Sequence, residues 1–176
     1  MILCRILILW LALALAACAA PPKPLPAPPP QEAPADLVMA DLVVVEKQRR
    51  QLSLYHQGRL LRQYQGLQFG RQPRGHKQFE GDGRTPEGRY VIAARNPRSA
   101  YHLSLRISYP GPHDAAHAAR HGRLPGGDIF IHGQPNGWPV GERVPGDWTD
   151  GCIALTNAEM EELWHGVPDG ISIVIR

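Results

Sequence analysis

Cys152 and His132 are the two side chains of this sequence that together suit an attack on an electrophilic carbon. A thiol reacts as thiolate, and an imidazole within hydrogen-bond reach supplies that anion by taking the proton. Their separation along the chain does not forbid contact if the strands carrying them are neighbours. Gly151 lets backbone approach the sulfur closely, and backbone amides near Cys152 are candidates to stabilise an oxyanion, with Gly133 and Gly151 the candidate supporting or oxyanion residues. The plain alternative is a buried, inert cysteine that packs as a small hydrophobe.

The other two cysteines sharpen the question. Met1 to Ala17 reads as a secretory signal, with Arg5 near its start, an apolar run and then small residues. The run is shorter than the roughly 20 residues that span a hydrocarbon core, so cleavage is expected. Leu15-Ala16-Ala17-Cys18 resembles a bacterial lipobox, which makes Cys18 a lipidation site and the membrane a partner through that anchor. Without Asp at position 19, the outer membrane of a Gram-negative envelope is the expected location. Cys4 leaves with the signal, so Cys152 remains as an unpaired thiol in an oxidising compartment.

The elements that must position the pair follow a β-rich pattern. Residues 18–36 are proline-rich and form a semi-rigid tether; residues 37–176 are long enough for one domain with its own core. Strands are expected at Leu42–Glu46, Gln51–His56, Arg59–Gln65 and at residues 89–94, 101–109, 128–132, 152–155 and 171–175. A short helix is expected at residues 114–121. Thr156 with Glu159 three residues on is a capping box that starts a second, with Met160, Leu163 and Trp164 as its apolar face. Residues 66–88 and 133–148 are glycine- and proline-rich loops, and a loop as long as the second is usually functional. His132 and Cys152 stand at its two ends.

Charge excludes one class. The net charge of +3 comes from 19 basic and 16 acidic residues of mixed order, without the basic stripe that nucleic-acid binding requires.

His132-Gly133, followed after residues 133–148 by Thr149-x-Gly151-Cys152, resembles the catalytic motif of the L,D-transpeptidase (YkuD-type) family. The stretches 81–88, 101–110 and 126–133 resemble its YafK-like branch, and the likeness covers roughly residues 40–176. The resemblance implies a mainly β domain with short helices, a β-sandwich or mixed-sheet arrangement. It implies that Cys152 is the nucleophile, His132 its base, and the Gly133 carbonyl the group that fixes the imidazole tautomer. The implied substrate is a peptidoglycan peptide stem, cleaved after an L-centre to leave a thioester that an amine or water resolves. Some members of the branch release a lipoprotein from peptidoglycan, so a peptidoglycan-linked lipoprotein is a further candidate partner. No cofactor is implied.

Two residues depart from the family motif: Asp150 replaces its second His, and Ala154 its usual Arg or Asn. Asp150, Thr149, Arg84 and Arg106 are candidate substrate contacts, and Lys77 is a candidate partner for a substrate carboxylate. His113, His117 and His121 share one helical face and raise the rival of a zinc peptidase. A non-catalytic peptidoglycan-binding lipoprotein is the rival from another class.

Overall fold

The computed structural model describes residues 38–176. The signal, the tether and Cys18 lie outside the described residues. Eight strands and two helices follow in chain order: β1 (Leu42–Glu46), β2 (Gln51–His56), β3 (Arg59–Gln65), β4 (Gly88–Ser99), β5 (His102–Ile107), α1 (Pro112–Arg120), β6 (Phe130–His132), β7 (Ile153–Ala154), α2 (Asn157–Gly166) and β8 (Ser172–Ile175). The strands form one mixed sheet in the order β3-β2-β1-β8-β4-β5-β6-β7. β1 with β8 and β6 with β7 run parallel; the other neighbours are antiparallel.

The first three strands are a meander. Val43 and Val45 alternate inward along β1, as a half-buried strand requires. The β2–β3 turn places Gln57 and Gly58 at φ 49° and 77°, the left-handed pair that matches the twist of a tight hairpin. β4 is the hinge of the sheet: residues 88–91 pair with β8 and residues beyond them with β5. It runs five residues past the expected end at Ala94. Pro97, which lacks an N–H, is accommodated because the register with β5 shifts between Asn96 and Ser99.

α2 forms where the capping box predicts. The Thr156 hydroxyl accepts from the Glu159 N–H at 3.2 Å, and the Glu159 carboxylate accepts from the Thr156 N–H at 2.9 Å. Met160, Leu163 and Trp164 enter the core with Ile92, Leu105, Ile131, Ile153 and Ile173. Full burial of each aliphatic side chain contributes about 1.5–3 kcal/mol, so the apolar face of α2 anchors the helix to the sheet, where it packs against β5. α1 begins at Pro112, whose missing N–H is harmless in a first helical turn.

Candidate active site

The parallel pair β6–β7 brings the two sequence-selected side chains together. Ile131 faces Ile153 and His132 faces Ala154 in register. Side chains alternate along a strand, so His132 and Cys152, two positions before Ala154, lie diagonally on one face. Both open on a cleft of about 420 Å³. β6 begins at Phe130 rather than at residue 128, because Asp128 takes φ 52° and cannot continue a strand. That bend aims main-chain groups at the sulfur: the Phe130 N–H donates to Cys152 Sγ at 3.4 Å, and Sγ donates to the Asp128 carbonyl at 3.5 Å.

His132 is buried, and its Nδ1 lies 2.6 Å from the Gly133 carbonyl oxygen. A carbonyl only accepts, so Nδ1 carries the proton and Nε2 keeps the lone pair of a base. Burial pushes the imidazole down to about 4, opposed by the Gly133 hydrogen bond. Burial likewise pushes the Cys152 thiol up to about 11; the Phe130 N–H opposes this, and the Asp150 and Asp128 carboxylates add to it. Near neutral pH the pair is therefore a thiol beside a neutral imidazole, and proton transfer must accompany attack.

Two glycines are required by this geometry. Gly151 sits at φ 129°, and a Cβ there would meet the Arg84 carbonyl oxygen at 2.5 Å. A Cβ on Gly133 would meet Asn157 Oδ1 at 2.5 Å. Their N–H groups are already engaged. Gly151 donates to Thr149 Oγ1 at 3.2 Å, and Gly133 to the Tyr101 and Leu103 carbonyls at 3.1 and 3.2 Å. Both amides are thus engaged within the protein, and Gly133 supports the site through its carbonyl on His132 Nδ1. Thr149 closes the turn by donating its hydroxyl to the Cys152 carbonyl at 2.8 Å.

Residues 133–148 are held by a side-chain network in which Gln68 and Gln134 are the residues that sequence reasoning passed over. Buried Gln134 donates to Gln68 Oε1 and to the Leu155 carbonyl, and accepts from the Val144 N–H. Gln68 in turn donates to the Val144 and Gly146 carbonyls and accepts from the Trp148 indole. Asp147 pairs with Arg50 through both carboxylate oxygens at 2.7 and 2.6 Å. Asn157, the first residue of α2, accepts from the Gln134 N–H at 2.7 Å. The only signal for these roles was indirect: an irregular loop packed on a core must find partners for its backbone.

The remaining candidates separate. Asp150 is exposed and lines the cleft, as does Asp128. Arg106 lies outside that lining and pairs with Asp128 at 2.9 Å. Arg84 contributes its backbone against Gly151 while its guanidinium reaches toward Gly75. Lys77 is buried and bound to Asp82 at 3.0 Å, which corrects its reading as a substrate contact. His117 and His121 stack on each other at 4.5 Å and flank Phe79. Among the described residues no group of three His, Cys, Asp or Glu side chains is arranged to hold a metal ion.

Residues 40–175 match the family model described as the L,D-transpeptidase catalytic domain (YkuD). The chain belongs to this family. Among L,D-transpeptidase relatives, the Escherichia coli K12 protein named YafK is 28% identical over 131 residues, covering 71% of this chain and 46% of that protein. The helical cell shape determining protein Pgp2 from Campylobacter jejuni superposes with a TM-score of 0.60 at 26% identity, covering 80% of this chain and 50% of that one. An L,D-transpeptidase from Mycobacterium smegmatis shares the fold at a TM-score of 0.51 and 17% identity, over 78% of this chain and 59% of that one. The chain spans about half the length of the relatives it matches. The mixed-sheet L,D-transpeptidase fold expected from the motif is the fold found.

Proposed function

We propose that this chain is a cysteine-dependent peptidoglycan L,D-transpeptidase. The observation that carries the proposal is that His132 at the end of β6 and Cys152 immediately before β7 line one cleft, with Nε2 left as the base. His132 takes the thiol proton as Sγ attacks the carbonyl after the L-centre of a stem. It then gives that proton to the leaving amine as the C–N bond breaks, and a Cys152 thioester remains. An acceptor amine attacks the thioester, its proton passing through His132 to the departing sulfur. With the Gly133 and Gly151 amides occupied, the oxyanion is assigned to the N–H of Cys152.

Asp128 and Asp150 are the charged residues that line the cleft. They suit a stem carrying a diamino acid, whose ammonium Asp150 binds. Hydrolysis of the same thioester is the second reading, favoured by Asp150 and Ala154 where the family motif has other residues; where the amine expelled during acylation belongs to a lipoprotein, the net reaction releases that lipoprotein from the stem. Lipidation at Cys18 would hold the domain at the periplasmic face of the outer membrane.

The test is incubation of the full-length protein with purified sacculi, followed by mass spectrometry of the released muropeptides. New cross-links made by wild type and absent with Cys152→Ser support transfer. Shortened or released stems without cross-links support hydrolysis, and no Cys152-dependent product rejects the enzymatic reading.

A further inference from the structure

Tyr101 sits at the apex of the β4–β5 turn with 40% of its surface exposed, although the turn beneath it is fixed from several sides. Its own N–H donates to Ser99 Oγ at 3.0 Å. Asn136, from the loop after His132, accepts from the His102 N–H at 2.8 Å and donates to the Ser99 carbonyl at 3.1 Å. The His102 ring meets Glu161 of α2 at 2.6 Å, and His102 itself takes φ 64°. Such a clamp fixes the backbone that carries an aromatic ring lying outside the buried core. What the ring covers is His132. The Tyr101 and His132 centroids are 4.8 Å apart with planes tilted by 32°, and Trp148 touches both rings at 5.4 and 5.5 Å.

From this geometry we infer that Tyr101 is a positioning residue for His132, acting by two routes. Its ring lies over the imidazole, fixing the ring plane and keeping water from that side. Its carbonyl accepts the Gly133 N–H at 3.1 Å and so ties down one side of the residue whose own carbonyl, in the next peptide, binds His132 Nδ1. The first route depends on the side chain and the second survives substitution. The titratable and charged groups that line the cleft with the imidazole are Cys152, Asp128 and Asp150, and Ser104 is its cross-strand partner.

The inference rests on the proposed role of His132, so the test includes a readout taken without substrate. In the full-length chain, the His132 imidazole is titrated by NMR in wild type, Tyr101→Phe and Tyr101→Ala, its signal assigned by its loss in His132→Asn. Tyr101→Ala lets water reach the ring and raises the His132 pKa from about 4 by about one unit or more. Tyr101→Phe keeps the ring and the wild-type curve. Turnover of stem peptides falls about tenfold or more in Tyr101→Ala and stays near wild type in Tyr101→Phe. If Tyr101→Ala does not fold, Tyr101→Leu, which fills the turn without an aromatic face, is read in the same way. A folded Ala or Leu variant with the wild-type titration curve overturns the inference, as does a Phe variant shifted as far as Ala. Loss of turnover in every protein, wild type included, with the titration shift intact counts against the function and leaves the positioning role standing.

Discussion

The Phe130 N–H points at the Cys152 sulfur from 3.4 Å, while the Asp128 carbonyl, two residues earlier in the same segment, accepts from the thiol. One bend in the chain therefore supplies both a donor that stabilises thiolate and an acceptor that holds the thiol. Burial decides between them in the free protein, and the thiol wins.

Stability should fall in acid because His132 is buried neutral. Its folded pKa, about 4, lies below the ordinary 6.5. The stabilisation is thus complete above 6.5 and is lost as pH falls through 4, by on the order of 3 kcal/mol in all. Urea midpoints of wild type should drop more steeply between these values than those of His132→Asn. Parallel pH profiles would contradict the buried neutral imidazole.

Gly151→Ala should be destabilised by about 3 kcal/mol, since it combines a left-handed φ with a clash against the Arg84 carbonyl oxygen. Urea denaturation measures the loss. A change under 1 kcal/mol, with Cys152 alkylated at the wild-type rate, would mean that the turn tolerates a side chain.

Gln134→Leu removes a buried amide and strands the Val144 N–H and the Leu155 carbonyl. The expected loss is about 2–3 kcal/mol, accompanied by faster proteolysis within residues 135–148. Equal protease resistance in the two proteins would show that this network does not hold the loop.

These assignments show where sequence reading stops. β1, β2, β3 and α2 were legible because alternation, a left-handed turn and a capping box are local signals. The extension of β4 past Pro97 was not, since a bulge created by the partner strand overrides the local stop. At the site, Cys152 and His132 were legible from residue type and spacing. Gln68, Gln134 and Tyr101 were not, because their roles arise from contacts between residues far apart in the chain.

Asp150→Asn tests the proposed ammonium contact. Turnover of stems with a free side-chain amine should fall by on the order of tenfold, the weight of a charge-assisted contact of about 1.5 kcal/mol. Stems with that amine acetylated should be unaffected. Cys152 alkylation should change little; a sharp acceleration would make Asp150 a tuner of the thiol instead.

The thioester on Cys152 is the most direct test of the proposed chemistry. Full-length wild type and Cys152→Ser are mixed with an excess of a tetrapeptide stem, quenched in acid within the first turnover, and weighed by intact-protein mass spectrometry. Wild type should gain the mass of the acyl tripeptide, mapped to Cys152 by digestion and removed by hydroxylamine, while Cys152→Ser gains nothing. Consumption of the stem by wild type without any adduct on Cys152, or an equal adduct on the serine variant, would contradict a cysteine nucleophile.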